Sequence, residues 1–486
     1  MAPQRSNILV VMADQHRADA LGCAGTSGVQ TPNLDALAAG GIRFSRVTCQ
    51  GPLCMPARAS FLTERYVRDH GVYTNWAEAS YEWPTYVQAL TAAGYHTAMI
   101  GKAHLTRDDD VPVRHVDELA GRLHARGFVE VHETADKFSD GRVANPYTEH
   151  LARLGLLDAY RRHIADRSYH GDNESGRNAT KRVPMWDATP SPLPLAHYID
   201  TWHGDQAVRW LEEYDRAEPF LCFVGFPGPH DPWDAPRQAV EALAGTPMPP
   251  RSTKRPELDN LGNYGKLVQG MLRLSDSNTM TDEAIAGMRR AYFANVTVID
   301  DAVGRIVDAL RRKGVLDDTW VVYTSDHGEM AGDHGLMSKC LLYEGAVRVP
   351  LIVRPPGSMP GRVVRDLVEH VDVPATLRAI AGARDVPGSE GRSLLGYVTG
   401  ADPAPRTVAI SENWGFASFE TDRYKLVVDE DALVPCQLFD LEADPAEDDN
   451  LVASREHATV LDEMMASLVS PFLKFAPARP HPSPFV

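Results

Sequence analysis

Apolar residues in this chain come in short unbroken runs, each closed by polar residues or glycine, and the runs alternate with helically spaced segments. Asn7 to Ala13 (NILVVMA) is apolar throughout and gives way to Asp14, Gln15 and His16. A run that is apolar on both faces predicts a strand covered on both sides, as in a parallel sheet. Thr31, Pro32 and Asn33 open a predicted helix through Leu34, Leu37 and Ala38, which Gly40-Gly41 closes. Tyr86 to Ala93 predicts a helix ended by Gly94, and His96 to Ile100 a strand running into Gly101-Lys102. Pro219 to Phe226 (PFLCFVGF) is a further buried strand, ending at Gly228-Pro229-His230. Ala284 to Arg312 predicts a long helix with Val296, Ile299, Val303, Ile306 and Leu310 on one face. Thr319 to Thr324 (TWVVYT) is a strand delivering Ser325-Asp326-His327-Gly328, Pro350 to Arg354 another strand, and Val373 to Ile380 a short helix.

Strands alternating with helices predict an α/β fold whose mostly parallel sheet is sandwiched by helices. In such folds the reactive groups gather beyond the carboxyl ends of the strands. Four apolar runs end in polar residues, at Asp14-Gln15, Lys102/His104, His230 and Asp326-His327. That coincidence predicts one site.

The chain divides into a catalytic domain over residues 1–405 and a smaller C-terminal α+β subdomain over 406–486. In the latter, Tyr424 to Val428 and Gln437 to Asp440 predict a short antiparallel sheet, followed by a helix near Glu456 to Leu468. Residues of about 106–194, Thr106 to Pro194, are polar and without clear period, and are expected to shape the substrate pocket. The tail from Pro471 holds five prolines and cannot build a core; lying over a neighbouring subunit would suit it, in a homo-oligomer, dimer or tetramer.

At 486 residues and 43% hydrophobic, the composition is that of a folded soluble protein, and no run reaches the length of a membrane span. The apolar stretch Ile8 to Met12 is too short for a secretory leader, which predicts a cytoplasmic location. The six cysteines (Cys23, Cys49, Cys54, Cys222, Cys340, Cys436) form no CxxC pair, which fits reduced thiols and argues against structural zinc. A net charge of −17 argues against nucleic acid and anionic membranes as partners. An anionic substrate would therefore need a local cluster of cations.

Asp14-Gln15 and Asp326-His327 offer two carboxylates, a carboxamide oxygen and an imidazole. A mainly oxygen donor set of this kind prefers Ca²⁺, Mn²⁺ or Mg²⁺ to softer metals. An aspartate after a strand can be only a helix cap, but two such pairs in one chain favour a metal. Cys54 would ordinarily be a small buried hydrophobe. Its context is different: Cys54-Met55-Pro56-Ala57-Arg58 is followed by Ala59-Ser60-Phe61-Leu62-Thr63. That segment resembles the signature of the type I sulfatases, the formylglycine-dependent family of the alkaline phosphatase superfamily. Six further segments resemble that family in order: NILVVMADQHRADALGCAG, TPNLDALAAGGIRF, GYHTAMIGKAH, VYTSDHGEMAGDHGL, RVPLIVR and LFDLEADPAEDDNL. Within that family the segments look like those of the choline sulfatase and phosphonate monoester hydrolase branch.

The resemblance implies an alkaline-phosphatase-like fold and a sulfuric ester hydrolase, arylsulfatase-like, acting on aryl or alkyl sulfate. It implies that a formylglycine-generating enzyme oxidises Cys54 to 3-oxoalanine, whose hydrate attacks sulfur to give a covalent sulfated intermediate. Asp14, Gln15, Asp326, His327 and modified Cys54 match the ligands of one divalent ion. Arg58 and Lys102 match cations that hold the hydrate, and His104 the base that breaks the intermediate. His230 and Lys339 match groups that grip the sulfuryl oxygens and assist the leaving group, and Asn75 a substrate contact. The physics agrees: an already anionic ester needs a metal-activated nucleophile and cations on its equatorial oxygens. A serine would stop as a stable sulfate ester, whereas a geminal diol has a second hydroxyl through which to release sulfate. His16, His70, His334 and the Asp300-Asp301 pair are expected to be structural.

Three departures stand out. Glu64 occupies the place of Gly in Thr-Gly-Arg, Gln15 stands where many relatives have a second Asp, and Lys102/His104 replace the Tyr and Thr of phosphonate hydrolases. The last tips the reading towards sulfate. A phosphonate monoester or phosphodiester hydrolase with the same site is the first alternative. A non-catalytic anion binder is the second, against which the intact residue set argues.

Overall fold

The computed structural model describes residues 5–106, 115–141, 143–167, 183–258 and 261–473. Among the described residues, fourteen strands run in chain order: β1 Asn7–Asp14, β2 Ile42–Phe44, β3 Val47–Thr48, β4 His96–Lys102, β5 Glu130–Thr134, β6 Phe220–Pro229, β7 Thr319–Ser325, β8 Leu351–Arg354, β9 Arg362–Val364, β10 Val368–Glu369, β11 Ala409–Asn413, β12 Phe416–Glu420, β13 Tyr424–Asp429 and β14 Val434–Asp440. Eight of them make the main sheet in the order β5-β4-β6-β1-β7-β8-β2-β9. The five strands from β5 to β7 are mutually parallel, and β8 runs antiparallel to both of its neighbours. β11 to β14 form a separate antiparallel meander.

The continuous apolar runs are explained by two-sided burial. Along β1, Leu9, Val11 and Ala13 pack against Ile299, Val303, Ile306 and Leu310 of the helix Asp282–Lys313. Ile8, Val10 and Met12 enter the opposite core with Phe61 of the helix Cys54–Thr63 and Leu377 of the helix Asp372–Ala381. Burying one such aliphatic side chain contributes about 1.5–3 kcal/mol, so the central strands are anchored from both faces. Asp300 acts as a brace. Its carboxylate accepts from the backbone N–H of Asn33 and Leu34, capping the helix Pro32–Ala39, whose own N-cap Thr31 makes no side-chain cap bond. Among the described residues, no helix is long and apolar enough to cross a membrane.

Two segments differ from expectation. The polar stretch Thr106 to Pro194 contributes β5 and helices such as Pro146–Arg153 and Leu157–Arg167; its residues 107–114, 142 and 168–182 lie outside the described residues. β5 (EVHET) lacked a strand signal because it is an edge strand with half-exposed side chains. The C-terminal helix Ala458–Met464 continues through Met465–Val469 to Ser470–Leu473, while 474–486 of the proline-rich tail lie outside the described residues.

The strand contact behind Lys102 is unusually tight. Gly101 has φ +88°, and a Cβ there would lie 2.2 Å from the carbonyl oxygen of Gly225 on β6. Only glycine fits both the backbone conformation and the space. Gly101→Ala should lower stability by at least about 2 kcal/mol, read as a reduced midpoint of denaturant unfolding. An unchanged midpoint would contradict this register.

Candidate active site

Four adjacent strands, β4-β6-β1-β7, end on one side of the sheet, and their carboxyl ends carry Lys102 and His104, His230, Asp14 and Gln15, and Asp326 and His327. Asp14, Gln15, Asp326 and His327 have no solvent exposure at all. Gln15 and His104 sit directly after or near strand ends with φ of 71° and 48°, the left-handed region that costs non-glycine residues about 1–3 kcal/mol.

Cys54 is brought to this point by helix geometry. It opens the helix Cys54–Thr63, and Arg58 follows one turn later on the same face. The Arg58 guanidinium donates Nε to Asp326 Oδ2 at 2.8 Å and Nη2 to Asp14 Oδ2 at 3.2 Å, while Nη1 takes the carbonyls of Lys102 and Ala103. Locking Arg58 across both carboxylates sets Cys54 above them. Its Sγ lies 3.2 Å from His327 Nε2 and 3.7 Å from Asp14 Oδ1. The N-cap position, Leu53, offers no side-chain cap; Asn75 Oδ1 accepts the Met55 N–H at 3.0 Å instead.

The remaining cations close the ring. Lys102 Nζ is 2.6 Å from Asp14 Oδ2 and 3.8 Å from Asp136 Oδ2. The Lys339 ammonium donates to the Gln15 carboxamide oxygen and to His230 Nε2. His230 Nδ1 meets the Asp231 carbonyl at 2.7 Å, so its Nε2 is the nitrogen facing the site. His104 and His230 both stabilise negative charge on the Cys54 sulfur, and His104 Nδ1 is buried without a hydrogen-bond partner among the described residues.

The electrostatics follow from burial against paired charge. Desolvation and the Cys54 charge push Asp14 up, yet Lys102, His230 and Arg58 hold it well below the usual carboxylate range. Burial opposes the charge on Lys102 and Lys339, but Asp14 and Cys54, with Asp136 beside Lys102 and Asp231 beside Lys339, keep both ammonium groups firmly protonated. Burial also raises the Cys54 thiol, but Lys339, His327 and the hydrogen bonds of His104 and His230 pull it well below the ordinary cysteine range. The other five thiols are raised chiefly by burial, Cys23 and Cys340 to about 12 and Cys436 to about 11.

The donor set fits a hard divalent ion. Ligand atoms of Asp14, Cys54, Asp326 and His327 lie within 4.8 Å of one another, all buried. The His327 Nδ1 is engaged by the Gly328 carbonyl at 2.9 Å, which leaves Nε2 free to ligate. Two carboxylates in the cluster favour the hard cations.

The Sulfatase family profile matches residues 6–383. The chain belongs to the sulfatase family. The profile of the N-sulphoglucosamine sulphohydrolase C-terminal domain matches residues 332–471. The sulfatase is 31% identical over 466 residues to the choline-sulfatase of Rhizobium meliloti, covering 93% of this chain and 83% of that protein. It is 27% identical over 482 residues to the arylsulfatase of Clostridium perfringens, with 96% and 94% covered. The phosphonate monoester hydrolase of Agrobacterium radiobacter superposes with a TM-score of 0.80 at 25% identity, over 97% of this chain and 95% of that one. The fold is therefore alkaline-phosphatase-like, and the sulfatase is a sulfuric ester hydrolase of a family that generally uses a metal ion and formylglycine.

The structure also explains the Glu64 departure. Glu64 terminates the Cys54 helix with φ 58°, the left-handed position where glycine is normally favoured. Its carboxylate is fully buried and takes a bidentate bond from Arg378 at 2.5 and 2.7 Å, which offsets the backbone strain. Sequence reasoning missed Glu329, whose carboxylate accepts the Gln15 Nε2 and turns the carboxamide oxygen towards Lys339; the motif position gave no sign of it. His16, His70 and His334 have structural partners, His16 on Tyr323 Oη, His70 on Ser60 Oγ and His334 on the Lys254 carbonyl. In sulfatase made without its modifying enzyme, the Cys54 thiol should ionise at lower pH than the other five thiols. Its iodoacetamide labelling should fall less steeply between pH 8 and about pH 6 than that of free thiols, which lose about tenfold per unit; a tenfold loss per unit at Cys54 would contradict the charge arrangement.

Proposed function

We propose that this sulfatase hydrolyses aryl or alkyl sulfate monoesters with residue 54, oxidised to formylglycine, as nucleophile on a single Ca²⁺, Mn²⁺ or Mg²⁺ ion. The observation that carries the reading is the seat of Cys54 Sγ between Asp14 and His327, inside a ring of Arg58, Lys102, His104, His230 and Lys339. Asp14, Gln15, Asp326, His327 and residue 54 would hold the ion. When bound, the ion supplies Lewis acidity and the hydrated aldehyde supplies two hydroxyls, one to attack sulfur and one through which sulfate leaves.

The chain's own residues do the rest. Arg58 and Lys102 neutralise Asp14 and Asp326 from beneath and fix the position of residue 54. Lys339 and His230, bonded to each other and both acting on the charge of Cys54, would meet the equatorial oxygens and the leaving oxygen of the sulfuryl group. In its charged form, which Asp231 and Asp14 favour, His230 would hold Nδ1–H on the Asp231 carbonyl and a second proton on Nε2; giving that proton to the leaving oxygen returns it to the neutral ring whose Nε2 accepts from Lys339. His104, whose buried Nδ1 has no hydrogen-bond partner among the described residues and whose ring acts on the charge of residue 54, would remove the proton of the second hydroxyl. Asn75 sets the start of the helix, and its amide group is left to meet substrate.

The likeness to a phosphonate monoester hydrolase supports a second reading, the same machinery acting on phosphonate monoesters or phosphodiesters. Lys102 and His104 favour sulfate. Values of kcat/KM for 4-nitrophenyl sulfate, a phenylphosphonate monoester and a phosphodiester should rank sulfate first; a reversed ranking would overturn the preference.

Cys54→Ala should abolish turnover, and Cys54→Ser should complete at most one. Lys102→Ala should lower kcat by about 10²–10³-fold. Exhaustive chelation should inactivate the protein and divalent ion should restore it; activity untouched by metal removal would refute the ion.

A further inference from the structure

One buried cation near the site is used up entirely by other protein groups. Lys137, just beyond β5 in the segment expected to shape the pocket, is 2% exposed. Its Nζ donates to the carbonyls of His230 at 3.0 Å and Pro232 at 3.3 Å, to Asp234 Oδ1 at 3.1 Å and to Asn295 Oδ1 at 3.2 Å. An ammonium has three protons, so four protein acceptors leave none for a ligand.

Those acceptors are themselves fixed from behind. The Tyr198 hydroxyl reaches Asp234 Oδ1 at 2.9 Å and Asn295 Oδ1 at 3.1 Å. Asn295 Nδ2 donates to Asp200 Oδ2 at 2.7 Å, and the other Asp200 oxygen accepts the Gly228 N–H at 2.9 Å. The network thus grips the His230 turn at residues 228, 230, 232 and 234. Phe138, next in sequence, sets its ring edge-on to the His230 imidazole at 6.2 Å between centroids. A buried charge adds little net stability; what this one contributes is geometry.

We propose that Lys137 is a positioning residue for His230, tying down the His230 and Pro232 carbonyls so that the imidazole keeps Nδ1 on Asp231 and Nε2 towards residue 54. The proposal rests on the reading above in one respect, that His230 delivers the proton to the leaving oxygen. Displacing an acid by about 1 Å costs on the order of 10²-fold in rate. That loss falls on esters whose leaving group needs the proton.

The test is a leaving-group comparison. Lys137→Met alone takes the ammonium partner from the buried Asp234 carboxylate, leaving it the Tyr198 hydroxyl and His163 Nε2 at 3.4 Å, so Lys137→Met/Asp234→Asn is measured beside it. We expect kcat on an alkyl sulfate to fall about 10²-fold, with less than about threefold loss on 4-nitrophenyl sulfate and KM little changed. Equal losses on both esters, or no loss on the alkyl ester, would overturn the proposal. A double variant that melts as an unfolded chain would assign Lys137 to stability alone and overturn it too. If the wild type turns over no sulfate ester, the sulfatase reading fails instead; the same comparison then runs on alkyl and 4-nitrophenyl phenylphosphonates.

Discussion

Two carboxylates with no access to water, Asp14 and Asp326, sit side by side at the ends of β1 and β7, and the rest of the site is organised by their need for positive charge. An unpaired buried carboxylate is costly. Arg58 answers that need by spanning both. Because Arg58 lies one helical turn after Cys54, the same pairing seats the cysteine above the carboxylates. The spacing between cysteine and arginine is thus a structural instruction as well as a signature for modification.

The same demand resolves a tension in the composition. A chain of net charge −17 would repel an anionic ester in general. Here Arg58, Lys102 and Lys339 converge on the strand ends, each buried and each held charged by neighbouring acids. A divalent ion added to that set leaves a local excess of positive charge in a water-poor cleft, where it acts at high effective strength. The global charge keeps the protein soluble; the local field belongs to the substrate.

The central architecture was legible in the sequence because two-sided burial writes itself as unbroken apolar runs. β1, β4, β6 and β7 could be read that way, and the polar residues closing each run do converge. What stayed hidden depends on contacts between distant segments. β5 is half exposed and reads as polar loop. Glu64 in a left-handed cap makes sense only beside Arg378, more than three hundred residues away. Lys137 lies in a stretch without period, and nothing local marks it as the anchor of the His230 turn. Asn75 was read from resemblance as a substrate contact; its oxygen also caps the Cys54 helix, a role set by tertiary placement.

The account stands on residue 54 acting as an aldehyde hydrate rather than as a thiol. The most direct measurement is the mass of the peptide carrying that residue, taken from protein made with and without a formylglycine-generating enzyme and compared with turnover of an aryl sulfate by the same samples. The account predicts that activity rises in proportion to the fraction of aldehyde. Full turnover by a sample whose residue 54 is entirely thiol would contradict it.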